Sequence, residues 1–444
     1  MTSNELFGAL FIPDPIREAT SDAAWVAAML EFEAALAQAE ARAGVIPGEA
    51  AAAIAAACDA ERFEPQALGR AARAVGNPAP PLVSALTETV EGEAARFVHW
   101  GATSQDVMDT ASMLVARRAL ALIAAELDAV AAACARLADE HRHTAMPGRT
   151  LLQQALPTTF GLKAAGWLVA VLDTRRRLAA VPLAVELGGA TGTLASLGGD
   201  GLRVLALMAE QLELEEPIVP WHTARARVAE LGAALSLAAG TLEKIALDVA
   251  LLAQTEVAEV AEPAGGGRGG SSTLPHKRNP VGSVLAIACA YRVRAEASIL
   301  LGAVAQEHER GAGAWQAEWE ALGGALAHTG GAAAAVHEVL DGLEVRPEQM
   351  RDNLAATDGL VLAEAVSVAM AERVGRLEAH RLVAAASRRA IATGRGLREE
   401  LLDDAEIRTQ LSAEEIDRTL DPARYLGSAE AFVDRALAWY GEQR

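Results

Sequence analysis

Residues 106–141 read DVMDTASMLVARRALALIAAELDAVAAACARLADEH, and this stretch decides the fold. Leu114, Leu127 and Val130 recur there at helical spacing, and the pattern is almost unbroken. Alanine is the best intrinsic helix former and adds little bulk, so such helices can pack closely. At 1.5 Å per residue, a helix of about 35 residues is about 50 Å long, more than one small domain can cover. The stretch therefore predicts a long helix that buries its apolar side chains by bundling with others.

Further helical runs are predicted over 158–180, 224–262, 280–309 and 316–341, whereas the first hundred residues read as short helices broken by turn signals. The 444 residues exceed the roughly 250–300 at which a single core stops growing. The prediction is an all-α protein with three helical domains. These are an N-terminal domain (1–105), a central long-helix bundle that also carries oligomerisation (106–345) and a C-terminal domain (346–444). Long alanine-rich helices usually need partner chains, so we expect a homo-oligomer.

The net charge of −20 argues against nucleic acids and anionic membrane surfaces as partners. No charged-then-apolar leader and no uninterrupted apolar run approaching ~20 residues is visible, which predicts a soluble cytoplasmic protein. An anionic substrate would need local positive charge against this negative background. Arg268, Lys277 and Arg278 lie together in one short segment and could supply it.

That segment is residues 264–280, AGGGRGGSSTLPHKRNP. Its five glycines give a backbone too permissive to hold one conformation, and a dense cluster of hydroxyl, imidazole, cationic and carboxamide groups follows. This combination is typical of a lid that closes over an anion. The alternative is a Gly/Ser linker that leads into a helix, with Pro280 in the first turn; few such linkers run into HKRN.

A second polar block is HWGATSQDVMDT, residues 99–110. Thr103 and Ser104 immediately precede the long helix, so their hydroxyls and the N–H groups of the helix start could bind an anion. The simpler interpretation is that one of them caps the helix. The two interpretations are compatible, because a capping residue can also face a ligand.

These two blocks resemble the signature segments of the fumarase/aspartase superfamily, whose members add or remove groups beside a carboxylate. Such reactions pass through a carbanion, which needs donors where the negative charge develops and a group that moves a proton. The resemblance implies that Ser271 is the proton-transferring serine, Lys277 the carboxylate-binding lysine and Asn279 a hydrogen-bonding asparagine. Ser271 and Lys277 are thus the candidate catalytic residues, and the proton donor is left open among Ser271, Lys277 and His276.

The same resemblance supplies the candidate substrate-binding residues and implies no metal and no other cofactor. Arg310 is included because a guanidinium can bind a carboxylate bidentately, and His99 is included although a lone histidine is more often structural. The candidates are His99, Thr103, Ser104, Thr150, Gln153, Gln254, Ser272, Asn279 and Arg310.

Three departures from the superfamily pattern indicate which branch this is. In the block GRTLLQQALPTTFG (148–161), Leu151 stands where fumarases and adenylosuccinate lyases place a histidine linked to the general acid. No histidine occurs near GNPAPPL (76–82), where adenylosuccinate lyases carry a second one. Trp315 and Trp319 take the positions that those lyases use to grip a nucleotide phosphate.

The combination resembles the cycloisomerase branch that lactonises a carboxymuconate in protocatechuate breakdown, part of the beta-ketoadipate pathway. It implies a small tricarboxylate substrate and a homotetramer whose active sites are built from several chains. An intramolecular carboxylate nucleophile is already held at high effective concentration, so the loss of one acid histidine is less damaging. The alternatives are an adenylosuccinate-type carbon–nitrogen lyase that releases fumarate, or a non-catalytic structural protein; the intact SSTLPHKRN argues against the latter.

Overall fold

The computed structural model describes residues 5–263, 269–270, 274 and 277–443. Helices dominate the described chain, which confirms the all-α prediction. The helices are α1 (Glu5–Phe11), α2 (Asp14–Ala19), α3 (Asp22–Ala43), α4 (Gly48–Ala57), α5 (Pro65–Ala72), α6 (Ala79–Thr89), α7 (Ser104–Glu140), α8 (Phe160–Ala179), α9 (Gly201–Leu212), α10 (Ala226–Leu252), α11 (Val281–Gly302), α12 (Ala314–Asp341), α13 (Pro347–Ala355), α14 (Ala363–Val374), α15 (Arg376–Thr393), α16 (Leu397–Asp403), α17 (Ala405–Gln410), α18 (Ala413–Thr419) and α19 (Ala429–Glu442).

The long helices largely follow the predicted runs. Helix α7 spans 37 residues and α12 spans 28, close to the predicted 106–141 and 316–341. Two predictions were wrong in extent: α10 ends at Leu252 rather than near residue 262, and α11 ends at Gly302 rather than near 309. The first hundred residues also contain one helix of 22 residues, α3, among the predicted short ones.

The chain divides into two compact units. Unit one comprises residues 1–128, 173–244 and 285–336, and unit two comprises 129–172, 245–284 and 337–444. The division into three domains at 105 and 345 stays a prediction.

In unit one, helix α3 packs against α4 and α9. Phe32 and Leu36 of α3 and Ile54 of α4 are almost completely buried. Burying each such side chain contributes roughly 1.5–3 kcal/mol, so this contact gives the N-terminal helices a core of their own. Ser21 begins α3 by accepting a hydrogen bond from the N–H of Ala24 (3.1 Å).

In unit two, α14 to α18 enclose a separate apolar core that includes Met370, Leu382, Ile407 and Ile416. The unit also contains two small antiparallel sheets. Strand β1 (Ala145–Thr150) pairs with β2 (Gln153–Thr159), with Thr150 opposite Gln153, and β3 (Val260–Ala261) pairs with β4 (Glu344–Val345).

Within the described residues no single helix is long and apolar enough to cross a membrane. Only α13 taken together with Leu360–Val374 reaches the required length and composition, and these two segments are bent by 84° at their break.

Candidate active site

Thr103 and Ser104 stand at the start of α7, as the sequence predicts. The carboxylate of Asp106 folds back and accepts a hydrogen bond from the N–H of Thr103 (2.9 Å), which fixes the first turn. The hydroxyl of Thr103 accepts a hydrogen bond from Nη1 of Arg310 (3.0 Å). The hydroxyl of Ser104 has no hydrogen-bond partner in the described part of the chain. Asp106, and neither of the two hydroxyls, therefore caps the start of α7.

Arg310 joins this corner of unit one to a glycine turn. Its Nη2 donates to the carbonyl oxygen of Ala190 (3.1 Å) while Nη1 holds Thr103. A guanidinium carries five N–H donors, so the two bonds leave Arg310 able to grip an anion as well. The structure therefore brings together two predicted substrate-binding residues that lie 207 positions apart.

The glycine turn itself is bound to Asp106. The N–H groups of Gly188 and Gly189 each donate to one of its carboxylate oxygens, at 3.0 Å in both cases. Nε2 of His222 lies 2.7 Å from the same carboxylate. Asp106 is completely buried, and these donors satisfy it. Asp106, His222 and the GGATGT turn (188–193) thus form a buried frame that holds Thr103 and Arg310. The sequence by itself indicates no site role for this turn.

Asp106, Glu186 and His222 bring possible metal-ligand atoms within 4.8 Å of one another. The donor set does not favour a cation, because backbone N–H groups already point at Asp106 and at Glu186, which accepts from the N–H of Trp221 (2.6 Å). Burial, followed by the negative charges of Asp106 and Asp109, raises the pKa of Glu186 well above its usual value, which disfavours the charged carboxylate that a cation would need. We interpret the cluster as a hydrogen-bonded core beneath the start of α7.

His99 lies on the segment that leads into α7. Its Nδ1 is 2.7 Å from Oε1 of Glu33, a completely buried residue of α3. Burial by itself lowers the pKa of His99, but the charge and hydrogen bond of Glu33, helped by the charge of Asp106, raise it overall. Sequence reasoning included His99 and missed Glu33, because no local signal links residues 66 positions apart.

Thr150 and Gln153, the predicted site residues of the block 148–161, lie on the β1–β2 hairpin of unit two. Arg149 at its base forms a bidentate pair with Glu259 (2.9 and 2.6 Å), and Asn353 donates to Glu259 as well (2.7 Å). The pair anchors the hairpin to the segment after α10, and it commits the carboxylate of Glu259 to a salt bridge. Thr150 and Gln153 are exposed next to the tip, so a ligand can reach them.

The tip of the hairpin is unusual. Leu151 and Leu152 both have positive φ angles (51° and 66°), a conformation that glycine and asparagine adopt far more easily than leucine. Their side chains are 97% and 76% exposed. Such a backbone conformation costs about 1–3 kcal/mol for each residue, and the described contacts of the hairpin do not bury the two side chains.

The base of the segment 264–280 is held by backbone contacts in unit two. The N–H of Asn279 donates to the carbonyl oxygen of Gly269 (2.9 Å), whose φ is +68°. A Cβ at Gly269 would lie 2.7 Å from the backbone oxygen of Asn279, so only glycine fits there. Ser271, Ser272, His276 and Arg268 lie outside the described residues.

The two described cations of this segment differ in their contacts. Arg278 donates to Glu344 (3.0 and 2.9 Å) and to the carbonyl oxygen of Glu262 (2.7 Å), so its charge is largely neutralised. Lys277 is exposed, and its ammonium has no ion pair in the described part of the chain. Glu262 also accepts from the N–H groups of Gly282 and Ser283 (2.9 and 2.8 Å). The start of α11 is therefore occupied by a carboxylate of the protein, and of the two cations described in this segment Lys277 is the one left for a ligand.

The remaining predicted residues have clear positions. Gln254 is exposed just after the end of α10 in unit two. Trp315 is buried, and its indole N–H donates to Asp109 (3.0 Å), which also binds Arg225. Sequence reasoning placed Trp315 where related lyases hold a phosphate, and its indole is committed to the interior of unit one. A cavity of about 710 Å³ in unit two, lined by residues such as Arg351 and Leu420, contains none of the predicted site residues.

Comparison with known proteins gives this geometry a context. A family model described as "Lyase" matches residues 12–295, and one described as "Adenylosuccinate lyase C-terminus" matches 359–436. A 3-carboxy-cis,cis-muconate cycloisomerase of Pseudomonas aeruginosa is 50% identical over 98% of this chain and 96% of its own length. A nitrosuccinate lyase of Streptomyces davaonensis is 48% identical over 95% of this chain and 92% of its own.

Among solved structures, the 3-carboxy-cis,cis-muconate lactonizing enzyme of Pseudomonas putida superimposes with a TM-score of 0.94 and 46% identity, covering 99% of both chains. The family model alone covers more than half of the chain, and the relatives match it from end to end. This chain therefore belongs to the lyase family of the fumarase/aspartase superfamily.

Proposed function

We propose that this protein is an enzyme that lactonises 3-carboxy-cis,cis-muconate to carboxymuconolactone, and that it needs no cofactor. The observation that carries the proposal is the joint placement of Thr103 and Arg310 over a buried frame, in a chain whose full-length relatives include cycloisomerases of this name. A guanidinium with free N–H donors beside two hydroxyls suits a substrate with several carboxylates.

The chemistry requires few protein groups. One carboxylate oxygen of the substrate forms a bond to a carbon of its own double bond, and the electron pair of that bond moves to the neighbouring carbon. The resulting carbanion is stabilised by an adjacent carboxylate and then takes up a proton. We assign Thr103, Ser104 and Arg310 to carboxylate binding, and Lys277 with Asn279 to the charge that develops. We add Ser271 as a catalytic residue and Ser272 as a substrate-binding residue, on the basis of the motif that this chain shares with the superfamily.

The geometry does not favour an adenylosuccinate-type lyase. Such an enzyme must protonate a leaving amine and hold a nucleotide phosphate. Leu151 cannot transfer a proton, and the indole of Trp315 is bonded to Asp109 in the interior. Lactonisation releases no leaving group and needs neither device.

We also propose a cytoplasmic homotetramer with active sites shared between chains. The strained, exposed leucines of the hairpin tip support this, because insertion of the tip into a neighbouring chain would bury them. The site residues also fall into separate groups: those at the start of α7 belong to unit one, whereas the hairpin and Lys277 belong to unit two.

The substrate assignment has a direct test. Purified protein without added metal or nucleotide is expected to abolish the ultraviolet absorbance of 3-carboxy-cis,cis-muconate, because lactonisation destroys the conjugated diene. Adenylosuccinate, argininosuccinate and nitrosuccinate serve as controls and are expected to stay unchanged. A stable muconate absorbance together with fumarate release from adenylosuccinate would favour the carbon–nitrogen lyase, and nitrite release from nitrosuccinate would favour the activity that the Streptomyces relative is named for.

Shared active sites predict complementation between inactive chains. A Thr103→Ala/Ser104→Ala chain and a Ser271→Ala chain are each expected to be nearly inactive. If one site takes these segments from different chains, random subunit exchange restores intact segments to about a quarter of the sites. The lactonisation rate of the mixture measures this after native mass spectrometry has verified exchange. A mixture that exchanges subunits and stays inactive would place each site within one chain.

A further inference from the structure

The pair formed by His99 and Glu33 is built like an acid–base dyad. Glu33 is completely buried in α3, and its Oε1 lies 2.7 Å from Nδ1 of His99. A carboxylate can only accept, so Nδ1 carries the shared proton and Nε2 is the nitrogen that can exchange one with a ligand. Nε2 forms no hydrogen bond within the described residues, and the side chain is 18% exposed. The hydrogen bond at Nδ1 therefore fixes the orientation of the imidazole, and Nε2 is available to exchange a proton with a ligand.

The backbone around His99 is held in a costly conformation. His99 has a φ of +58°, which is uncommon for a residue with a side chain, although histidine, asparagine and aspartate adopt it several times more often than other residues. Gly101 follows with a φ of +74°, and a Cβ there would lie 2.6 Å from a methyl carbon of Leu197. Strain of this kind persists only where surrounding contacts impose it, and it concentrates at functional sites. Here the bond to Glu33 is one contact that holds the strained residue.

His99 also lies in the same corner of unit one as the proposed carboxylate-binding groups. It precedes Thr103 by four residues, and the charge of Asp106, which binds the N–H of Thr103, acts on the imidazole. A ligand held by Thr103 and Arg310 would therefore lie near an imidazole that has a free nitrogen.

We propose that His99, oriented by Glu33, donates the proton that completes lactonisation, in place of Ser271, Lys277 or His276, the donors that the sequence leaves open; this inference rests on the proposed cycloisomerase function. After the carboxylate oxygen has bonded to the alkene carbon, the N–H bond of the imidazolium at Nε2 breaks and its proton forms the C–H bond at the carbanion. The imidazolium becomes a neutral imidazole, which solvent reprotonates. A substrate trianion and one proton thus give a lactone dianion, and no other reactant is needed.

The charged and titratable groups around the dyad define what its pH dependence would look like. Glu33 and Asp106 both raise the pKa of His99, so the protonated imidazole persists to higher pH than usual. Lactonisation would be fast below that pKa and would slow as the pH rises through it. Near Glu33, burial and the Glu33 charge raise the pKa of Glu40 to about 9 and that of Cys58 to about 12, so both are neutral near pH 7. Glu40 is the other group that could titrate at alkaline pH.

The test compares His99→Gln, Glu33→Gln and Glu40→Gln across pH, with carboxymuconate at saturating and at limiting concentration. His99→Gln is expected to lower kcat by about a hundredfold or more, with a smaller change in KM. Glu33→Gln keeps the imidazole but removes the charge that raises its pKa, so the alkaline fall in kcat should shift to lower pH. Glu40→Gln is the matched control, two turns along the same helix, and it should leave that fall in place.

Each contrary result has its own meaning. If His99→Gln raises KM and leaves kcat unchanged, His99 only binds substrate and the inference is wrong. It is equally wrong if Glu40→Gln, and not Glu33→Gln, moves the alkaline fall. Thermal midpoints of the variants separate loss of fold from loss of chemistry, and Glu33→Gln still reports through its pH profile if His99→Gln does not fold. If the wild-type protein does not act on carboxymuconate, the proposed function itself fails, and the inference fails with it.

Discussion

Replacing Lys277 with alanine is expected to lower the turnover number by about a hundred- to a thousandfold, the usual effect of removing one donor from the developing charge. The ammonium of Lys277 is exposed and has no ion pair in the described part of the chain, so its loss should not unfold the protein. In a protein with a net charge of −20, an anionic substrate needs local positive charge, and the exposed ammonium of Lys277 can supply it. Steady-state rates of muconate loss measure the effect.

The neighbouring Arg278 provides the control. Its guanidinium is bonded to Glu344 and to the carbonyl oxygen of Glu262, so Arg278→Met is expected to loosen the base of the segment and to change kcat far less. Lys277→Arg keeps the charge but changes its shape, and it should recover part of the activity. Wild-type turnover by Lys277→Ala would remove this residue from the mechanism.

The long helices could be predicted because the signal for them is local. The alanine-rich pattern over 106–141 corresponds to α7 at Ser104–Glu140, to within two residues at the start. The prediction of a helix over 224–262 was too long, because tertiary contacts override propensity after Leu252. There the main chain turns at Ala258 (φ +52°), and Val260 pairs with Val345. Nothing in QTEVAEVAEP indicates these distant partners.

In the candidate site, too, residues that lie in local motifs could be predicted, whereas residues whose roles depend on distant partners could not. Motif resemblance names Thr103, Ser104 and Arg310 as candidates, and the structure places all three in unit one, with Arg310 bonded to Thr103. It did not find Asp106 as the centre of the frame, because that role depends on Gly188, Gly189 and His222, more than eighty residues away in the chain. The partners of buried polar groups are set by the packed fold and leave no short-range pattern in the sequence.

The second large effect expected concerns the interior of unit one. Arg225 is 2% exposed, and its guanidinium donates to Asp109 (2.6 and 2.9 Å) and to Glu318 (3.1 Å). Arg225→Met fills much of the same space but leaves two buried carboxylates without their cation, which costs about 3–5 kcal/mol. The fall in the unfolding midpoint in urea measures this at a fixed protein concentration, because assembly also contributes to stability.

An exposed ion pair supplies the comparison. Arg398 pairs with Asp417 at the surface of unit two, where solvent screens the interaction, so Arg398→Met is expected to leave the unfolding midpoint almost unchanged. Adding Asp109→Asn and Glu318→Gln to Arg225→Met should recover part of the lost stability, because the buried charges then disappear together. An Arg225→Met midpoint equal to that of Arg398→Met would show that the buried cluster is not a stabilising centre.

The cluster should also affect the site, because its two carboxylates hold elements that carry substrate-binding groups. Asp109 follows Asp106 by three residues on α7. Glu318 accepts a hydrogen bond from the side chain of Gln306 (2.9 Å), and Gln306 lies four residues before Arg310 in the chain. Arg225→Lys keeps one charge and loses the planar fork, so the protein should fold while Gln306 and the start of α7 are held less firmly. We therefore expect KM for carboxymuconate to rise more than kcat falls. A lowered midpoint with an unchanged KM would show that the cluster stabilises the fold without positioning Arg310.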